Sequence, residues 1–185
     1  MKKTLTNILT VLVLFIFVSN TAGQSNELTD SLKNLLTTSD NEEKVEILNA
    51  LAWEYRNSKL HKSIRYGLEA IEIAQKNNDY EGLTTAYSYT GVAFRNLGNY
   101  TEALDFYYKG LKLSKEMKLW EQTGYSYINI GNLYIYQKMY KDARLYLNKA
   151  LEISDSLEDM KMKGYCYLNL ARVDINTNKY DDAIN

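Results

Sequence analysis

Three stretches of this chain recur at a step of forty residues. "TAYSYTGVAFRNLGNYTEAL" (85–104) is followed by "YSYINIGNLYIYQKMYKDARL" (125–145) and then by "YCYLNLARVDINTNKYDDAI" (165–184). Tyr87, Tyr127 and Tyr167 hold one position of the unit, and Gly91, Gly131 and Ala171 hold another. Tyr100, Tyr140 and Tyr180 hold a third, and Ala103, Ala143 and Ala183 a fourth. A fixed period of this length marks an array, in which each unit is one supersecondary structure that buries its apolar faces only against copies of itself. That requirement excludes most folds before any other feature is considered.

Within a unit the spacing is helical. Tyr87, Thr90, Gly91 and Phe94 fall on one face at steps of three and four. After "NLGN" a second helix begins near Tyr100 and carries Ala103, Tyr107, Gly110 and Leu111 inward. The next unit repeats this with Tyr127, Ile130, Gly131 and Tyr134, then Tyr140, Ala143, Leu147, Ala150 and Leu151. A 3.6-residue period explains these intervals and a strand's alternation does not. Proline is absent and glycine occurs nine times, so little in the chain breaks helices. The expected fold is all-α, an α-α superhelical solenoid of about four helix-turn-helix hairpins. Gly91 with Ala103, and Gly131 with Ala143, let the two helices of a hairpin approach closely. Gly110 and Ala150 are expected to admit the first helix of the following unit. The three tyrosines at 87, 127 and 167 fill the same gap at successive interfaces of the stack.

The string Y-x-x-T-G-x-x-F, then G-N-Y-x-x-A-L-x-x-Y-x-x-G-L, resembles the tetratricopeptide repeat. Gly91, Phe94, Tyr100, Ala103, Tyr107 and Gly110 match its pattern in order, as do Gly131, Tyr134, Tyr140, Ala143, Leu147 and Ala150. The first unit, "LAWEYRNSKLHKSIRYGLEAIEIA", is a weaker copy, with Ala52, Tyr55, Ser63, Gly67 and Ala70 in the matching slots if its turn is one residue shorter. The step of forty exceeds the family's commoner thirty-four, and its closing proline is replaced by Lys115 and Asp155. The resemblance covers residues 43–185, with units at about 43–80, 81–119, 120–158 and 159–185, the last cut short in its second helix.

Ahead of the array, Lys2 and Lys3 precede an apolar run from Ile8 to Val18 and then small and polar residues up to Gly23. That is the order of a secretory signal peptide, over 1–23, with cleavage after Ala22 or Gly23. Eleven residues at about 1.5 Å each make roughly 16 Å of helix, too short for a bilayer core of about 30 Å. The expected location is therefore exported, on the periplasmic or extracellular side of a bacterial membrane, with no membrane span beyond the cleaved leader. Residues 24–42 are expected to form an N-terminal cap. There Leu28, Leu32, Leu35 and Leu36 share a face, and Ser39 or Asp40 caps the helix that follows.

Chemistry is sparse. Lysine and arginine number 22 against 23 acidic residues, and setting Lys2 and Lys3 aside leaves 20. A weakly acidic chain without charge blocks lacks the footprint of a nucleic-acid binder. His61 is the only histidine and has no ligand-type neighbours, so no metal site is expected. Cys166 is the only cysteine; set among tyrosines on a packing helix, it is expected to be a small buried hydrophobe. "RNLGNY" has a single glycine, required by its turn, and no phosphate-cradling loop exists. No catalytic residues, cofactor or enzyme activity is expected.

The resemblance implies a concave groove lined from the first helix of each unit. The positions are Ser88, Val92, Arg95 and Asn96, then Tyr125, Ile128, Asn132 and Tyr136, then Tyr165, Leu168, Arg172 and Asn176. Of these, Arg95, Tyr125, Asn132, Tyr136, Tyr165 and Arg172 are the candidate binding residues, suited to a protein or peptide ligand. The family's lysine–asparagine clamp for a terminal carboxylate is not expected, because Ile128 and Tyr165 stand where lysines are needed. Two functions are carried forward. One is a non-catalytic protein- or peptide-binding scaffold acting outside the cytoplasm. The other, from resemblance in arrangement, is the extracytoplasmic input region of a membrane-bound sensor histidine kinase or helix-turn-helix regulator.

Overall fold

A computed structural model describes residues 22–177, including the side chains of 27–40 and 43–177. Among them run eight helices: α1 (Ala22–Thr38), α2 (Asn41–Tyr55), α3 (Leu60–Asn77), α4 (Tyr80–Leu97), α5 (Tyr100–Glu116), α6 (Trp120–Tyr136), α7 (Tyr140–Ser156) and α8 (Met160–Asn176). No strand occurs among the described residues. The pairs α2–α3, α4–α5 and α6–α7 form hairpins, α8 opens a further one, and each helix packs on the next. In addition α2 touches α4, α4 touches α6 and α6 touches α8. The first helices of the hairpins therefore form a continuous inner layer, with α3, α5 and α7 outside it. This is the expected α-α solenoid, and its inner layer is what positions the groove.

The turns close by one device that does not depend on glycine. Asn78, Gly98, Lys118, Lys138 and Glu158 all have positive φ, at 54°, 88°, 57°, 60° and 54°. The amide after each donates to the carbonyl five residues back: Asp79 to Ala74, Asn99 to Phe94, Leu119 to Ser114, Met139 to Tyr134 and Asp159 to Ser154, at 2.8–3.0 Å. These are Schellman closures, which satisfy the last carbonyls of each helix. The expectation that the turn of "RNLGNY" requires its glycine is thus corrected, since two lysines, an asparagine and a glutamate fill the same place elsewhere. The turn between α2 and α3 has no left-handed residue; there Lys59 N–H returns to the Tyr55 carbonyl at 3.0 Å.

Close approach within a hairpin depends on the small residues named above. A Cβ on Gly91 would lie 2.5 Å from Cε1 of Tyr107 and 3.2 Å from the Ala103 carbonyl oxygen. At Gly131 it would lie 2.9 Å from Cγ of Leu147 and 3.2 Å from the Ala143 oxygen. Phe94 stacks on Phe106 at 5.4 Å beside this contact, and Tyr134 meets Tyr146 at 5.6 Å. In the first unit Ala52, Tyr55, Ser63 and Ala70 are all buried, and the Ser63 hydroxyl donates to the Ala52 carbonyl at 2.6 Å.

Two expectations need adjustment. On α1, Leu32 is buried and Leu28 and Leu36 pack beside it, but Leu35 faces solvent. Residues 28, 32 and 36 form a line at steps of four, and α1 touches only α2, so no second neighbour covers Leu35. Tyr87 and Tyr127 fill their interfaces, whereas Tyr167 is 53% exposed. The second helix of that hairpin, expected from Tyr180, lies outside the described residues. The leader expected over 1–23 also falls, but for its last two residues, outside them. Asp40 takes the capping role, its Oδ1 accepting from Glu43 N–H at 3.0 Å. No helix among the described residues is long and apolar enough to cross a membrane.

Candidate functional site

The inner helices bring equivalent residues side by side along one face. Asn96 on α4 donates to the Arg56 carbonyl at 2.8 Å and to Asn57 Oδ1 at 3.0 Å, both in the turn after α2. Arg172 on α8 donates from Nη1 to Asn132 Oδ1 on α6 at 3.0 Å, and to Asn169 Oδ1 on its own helix at 3.0 Å. Tyr125 and Tyr165, also equivalent, meet edge to face with centroids 6.4 Å apart. Amides, rings and guanidiniums of successive helices thus form rows across a concave surface.

The six candidate residues fall into two clusters. Tyr125 and Tyr165 make one, near the N-terminal ends of α6 and α8. The other gathers Arg95, Asn132, Tyr136 and Arg172 near the C-terminal ends. The Arg95 guanidinium carbon lies 5.3 Å from the Tyr136 ring centroid and that of Arg172 lies 5.8 Å from the same centroid. Tyr136 is 49% exposed, and Tyr100 reaches it from α5 at 6.4 Å. Val92 and Ile128, expected in the lining, are buried instead between neighbouring helices. Their branched apolar chains gain more from helix–helix contact than from an open groove.

The sequence reading missed the first unit's share. Trp53 meets Tyr89 of α4 with tilted rings 4.8 Å apart, and the Arg56 guanidinium lies 3.6 Å over the Trp53 ring. The signal was present: the shorter first turn shifts α2 by one residue, so an offset of 39 maps Arg95 onto Arg56 and Val92 onto Trp53.

Charge is divided across the groove. Arg56, Arg95 and Arg172 stand toward one edge, and none forms an ion pair with a carboxylate among the described residues. Toward the N-terminal ends of the inner helices lie Glu46, Asp79, Glu81, Glu121 and Asp159, where Gln122 of α6 donates to Glu81 of α4 at 2.9 Å. Burial, with Asp79, Glu43 and Glu81 nearby, holds the Glu46 carboxyl above the usual range. Burial, reinforced by Asp159 and Glu121, pushes the Tyr125 phenol up to about 12. Arg56 is lowered by burial, opposed by Glu54 and by Tyr89, while Arg95 adds to the lowering and Tyr165 of α8 opposes it.

Among the described residues no group of three His, Cys, Asp or Glu could hold a metal. Cys166 is fully buried, and burial pushes its thiol up to about 11. One surface depression is lined by Tyr108, Leu111 and Lys112 and another by Glu81, Trp120 and Leu157, and both are open.

Residues 84–156 match the tetratricopeptide repeat family. The matched residues span the hairpins α4–α5 and α6–α7, and the helices on either side of them pack in the same way. No curated protein matches the chain. Among solved structures, the chain is similar to the apo form of RapI, with 23% identity and a TM-score of 0.69 over 82% of this chain and 56% of that one. It is similar also to a Rap protein complexed with competence and sporulation factor, with 20% identity and a TM-score of 0.77 over 84% and 45%. A third is a signal transduction ATPase with a tetratricopeptide repeat sensor from Pyrococcus horikoshii, with 24% identity and a TM-score of 0.72 over 87% and 25%. The chain thus spans little more than half of RapI and a quarter of the ATPase, and these likenesses concern the fold.

Proposed function

We propose that the chain is a non-catalytic scaffold that binds a protein or peptide in the concave groove, on the extracytoplasmic side of a bacterial membrane. One observation carries the binding reading. The inner helices hold half-exposed rings and guanidiniums from all four units on a single face, with Trp53, Tyr125, Tyr136 and Tyr165 among them. Aromatic and arginine side chains supply most of the energy in protein interfaces, because they bury large area at small entropic cost. The Rap structure complexed with competence and sporulation factor supports the idea that such an array can hold a ligand. Export rests on the leader-like order of residues 1–23.

Both parts are open to test. Substituting Tyr125 and Arg172 together by alanine should leave the helical spectrum unchanged and weaken cross-linked capture of the partner from the native host. Undiminished capture would remove these residues from the groove. A reporter enzyme active only after export, fused behind residue 40, should be active; a silent reporter together with an intact Met1 on the purified chain would dismiss the leader.

A second reading is the input region of a membrane-bound sensor kinase or regulator. The neighbour described as a signal transduction ATPase with a repeat sensor favours it. Coding sequence after Asn185 that contains an apolar span and a phosphoacceptor helix would select this reading over the free scaffold.

A further inference from the structure

The basic edge of the groove carries chemistry that peptide binding in general does not require. Arg95 and Arg172 belong to inner helices that are not neighbours, yet both converge on the one ring of Tyr136. Like charges repel when brought together, unless an opposite charge lies between them. Here the partners are neutral. Arg95 donates from Nε and Nη2 to Asn96 Oδ1 at 3.2 and 3.1 Å, and Arg172 gives only Nη1 to Asn132 and Asn169. Each guanidinium has five N–H donors, so most remain uncommitted. Arg56, whose electrostatic surroundings include Arg95, is likewise held by a ring and a carbonyl, donating to the Trp53 oxygen at 2.7 Å. A buried hydroxyl in the α4–α5 hairpin core also feels the Arg95 charge. The Tyr107 hydroxyl is buried without any hydrogen-bond partner, and the charged or polar groups that bear on it are Arg95 and Tyr136.

We propose that this edge receives carboxylates, so that the groove takes an acidic polypeptide segment. One carboxylate sits between Arg95 and Arg172 above Tyr136, and another sits at Arg56. The inference rests on the peptide-binding reading above and names its partner class. A guanidinium fork matches a carboxylate geometrically, and the asparagine amides hold the forks in place without neutralising them. The opposite rim, with Glu46, Glu81 and Glu121, repels the same segment. The ligand's acidic side must therefore face the arginines, and one orientation across the groove is selected.

The test is selection of random dodecapeptides on the immobilised protein, followed by anisotropy on synthetic copies of the enriched peptides. The expected result is enrichment of Asp and Glu, with binding that weakens as salt is raised. Arg95→Gln and Arg172→Gln should each weaken the acidic peptides about tenfold, the effect of losing a hydrogen bond to a charged group. Arg95→Lys, which keeps charge but loses the fork, should fall between. Enrichment without acidic bias, enrichment of basic peptides, or full binding of acidic peptides by the double Gln variant would each overturn this proposal while leaving the groove as a peptide site. Failure to enrich any peptide would overturn both. Should a Gln variant fail to fold, the composition and salt response of the wild-type peptides decide the matter.

Discussion

Gly131 and Gly110 look alike in the repeat but differ in what surrounds them. A Cβ on Gly131 meets Leu147 and the Ala143 backbone at 2.9–3.2 Å, whereas on Gly110 it would meet Tyr87, Thr84 and Ser126 at 3.4–3.7 Å. The first is overpacked by a single carbon and the second is ordinary contact. Gly131→Leu should therefore lose more than the about 1–3 kcal/mol of a usual overpacking change, seen as a lowered melting midpoint. Gly110→Ala should gain about 0.5–1 kcal/mol from lost freedom of the unfolded chain. An unchanged midpoint for Gly131→Leu would refute this hairpin contact. Glu46 adds a pH dependence. Its folded pKa lies above its unfolded one, first from burial and then from the acidic neighbours. The stabilisation from its proton is complete below the unfolded pKa and is lost as pH rises through the folded value. At neutral pH the ionised side chain is thus unfavourable. Glu46→Gln should raise the midpoint at pH 7, with the gain gone by about pH 4. An equal gain at both pH values would remove the electrostatic cause.

At the scale of the helix, the five Schellman turns impose a left-handed residue whether or not glycine is available. A non-glycine residue there costs about 1–2 kcal/mol. Lys118→Gly should accordingly stabilise by about 1 kcal/mol, and Gly98→Ala should destabilise by a similar amount. For a chain of this size 1 kcal/mol moves the midpoint by about 2–4 °C, which calorimetry resolves. If the two changes had the same sign, turn strain would not be the controlling term. These turns were hidden in the sequence because a left-handed Lys or Glu has no distinguishing neighbour pattern. Only Gly98 and Asn78 signal the conformation by residue type. The helices between them were legible, since their apolar residues recur at steps of three and four.

At the scale of the molecule, each inner unit is held from two sides, but among the described residues α1 touches only α2, and α8 only α6 and α7. Solenoid stability is a sum of unit and neighbour terms. Amide hydrogen exchange should therefore be slowest in α4, α5 and α6 and fastest in α1 and α8. Uniform protection from end to end would point to a single cooperative core instead of a stack.

The sequence by itself determined the hairpins, their order and the small residues at their contacts, because the repeat restates one local pattern three times and close approach leaves few side chains that fit. It also placed Arg95, Tyr136 and Arg172 on inner helices. Only the tertiary structure decided that two of these arginines meet over one ring, that Trp53 and Arg56 join the same face, and that Val92 and Ile128 leave it. Those outcomes depend on the rotation accumulated from one hairpin to the next. Small angular differences at each interface add along the stack, and no single unit's sequence records their total.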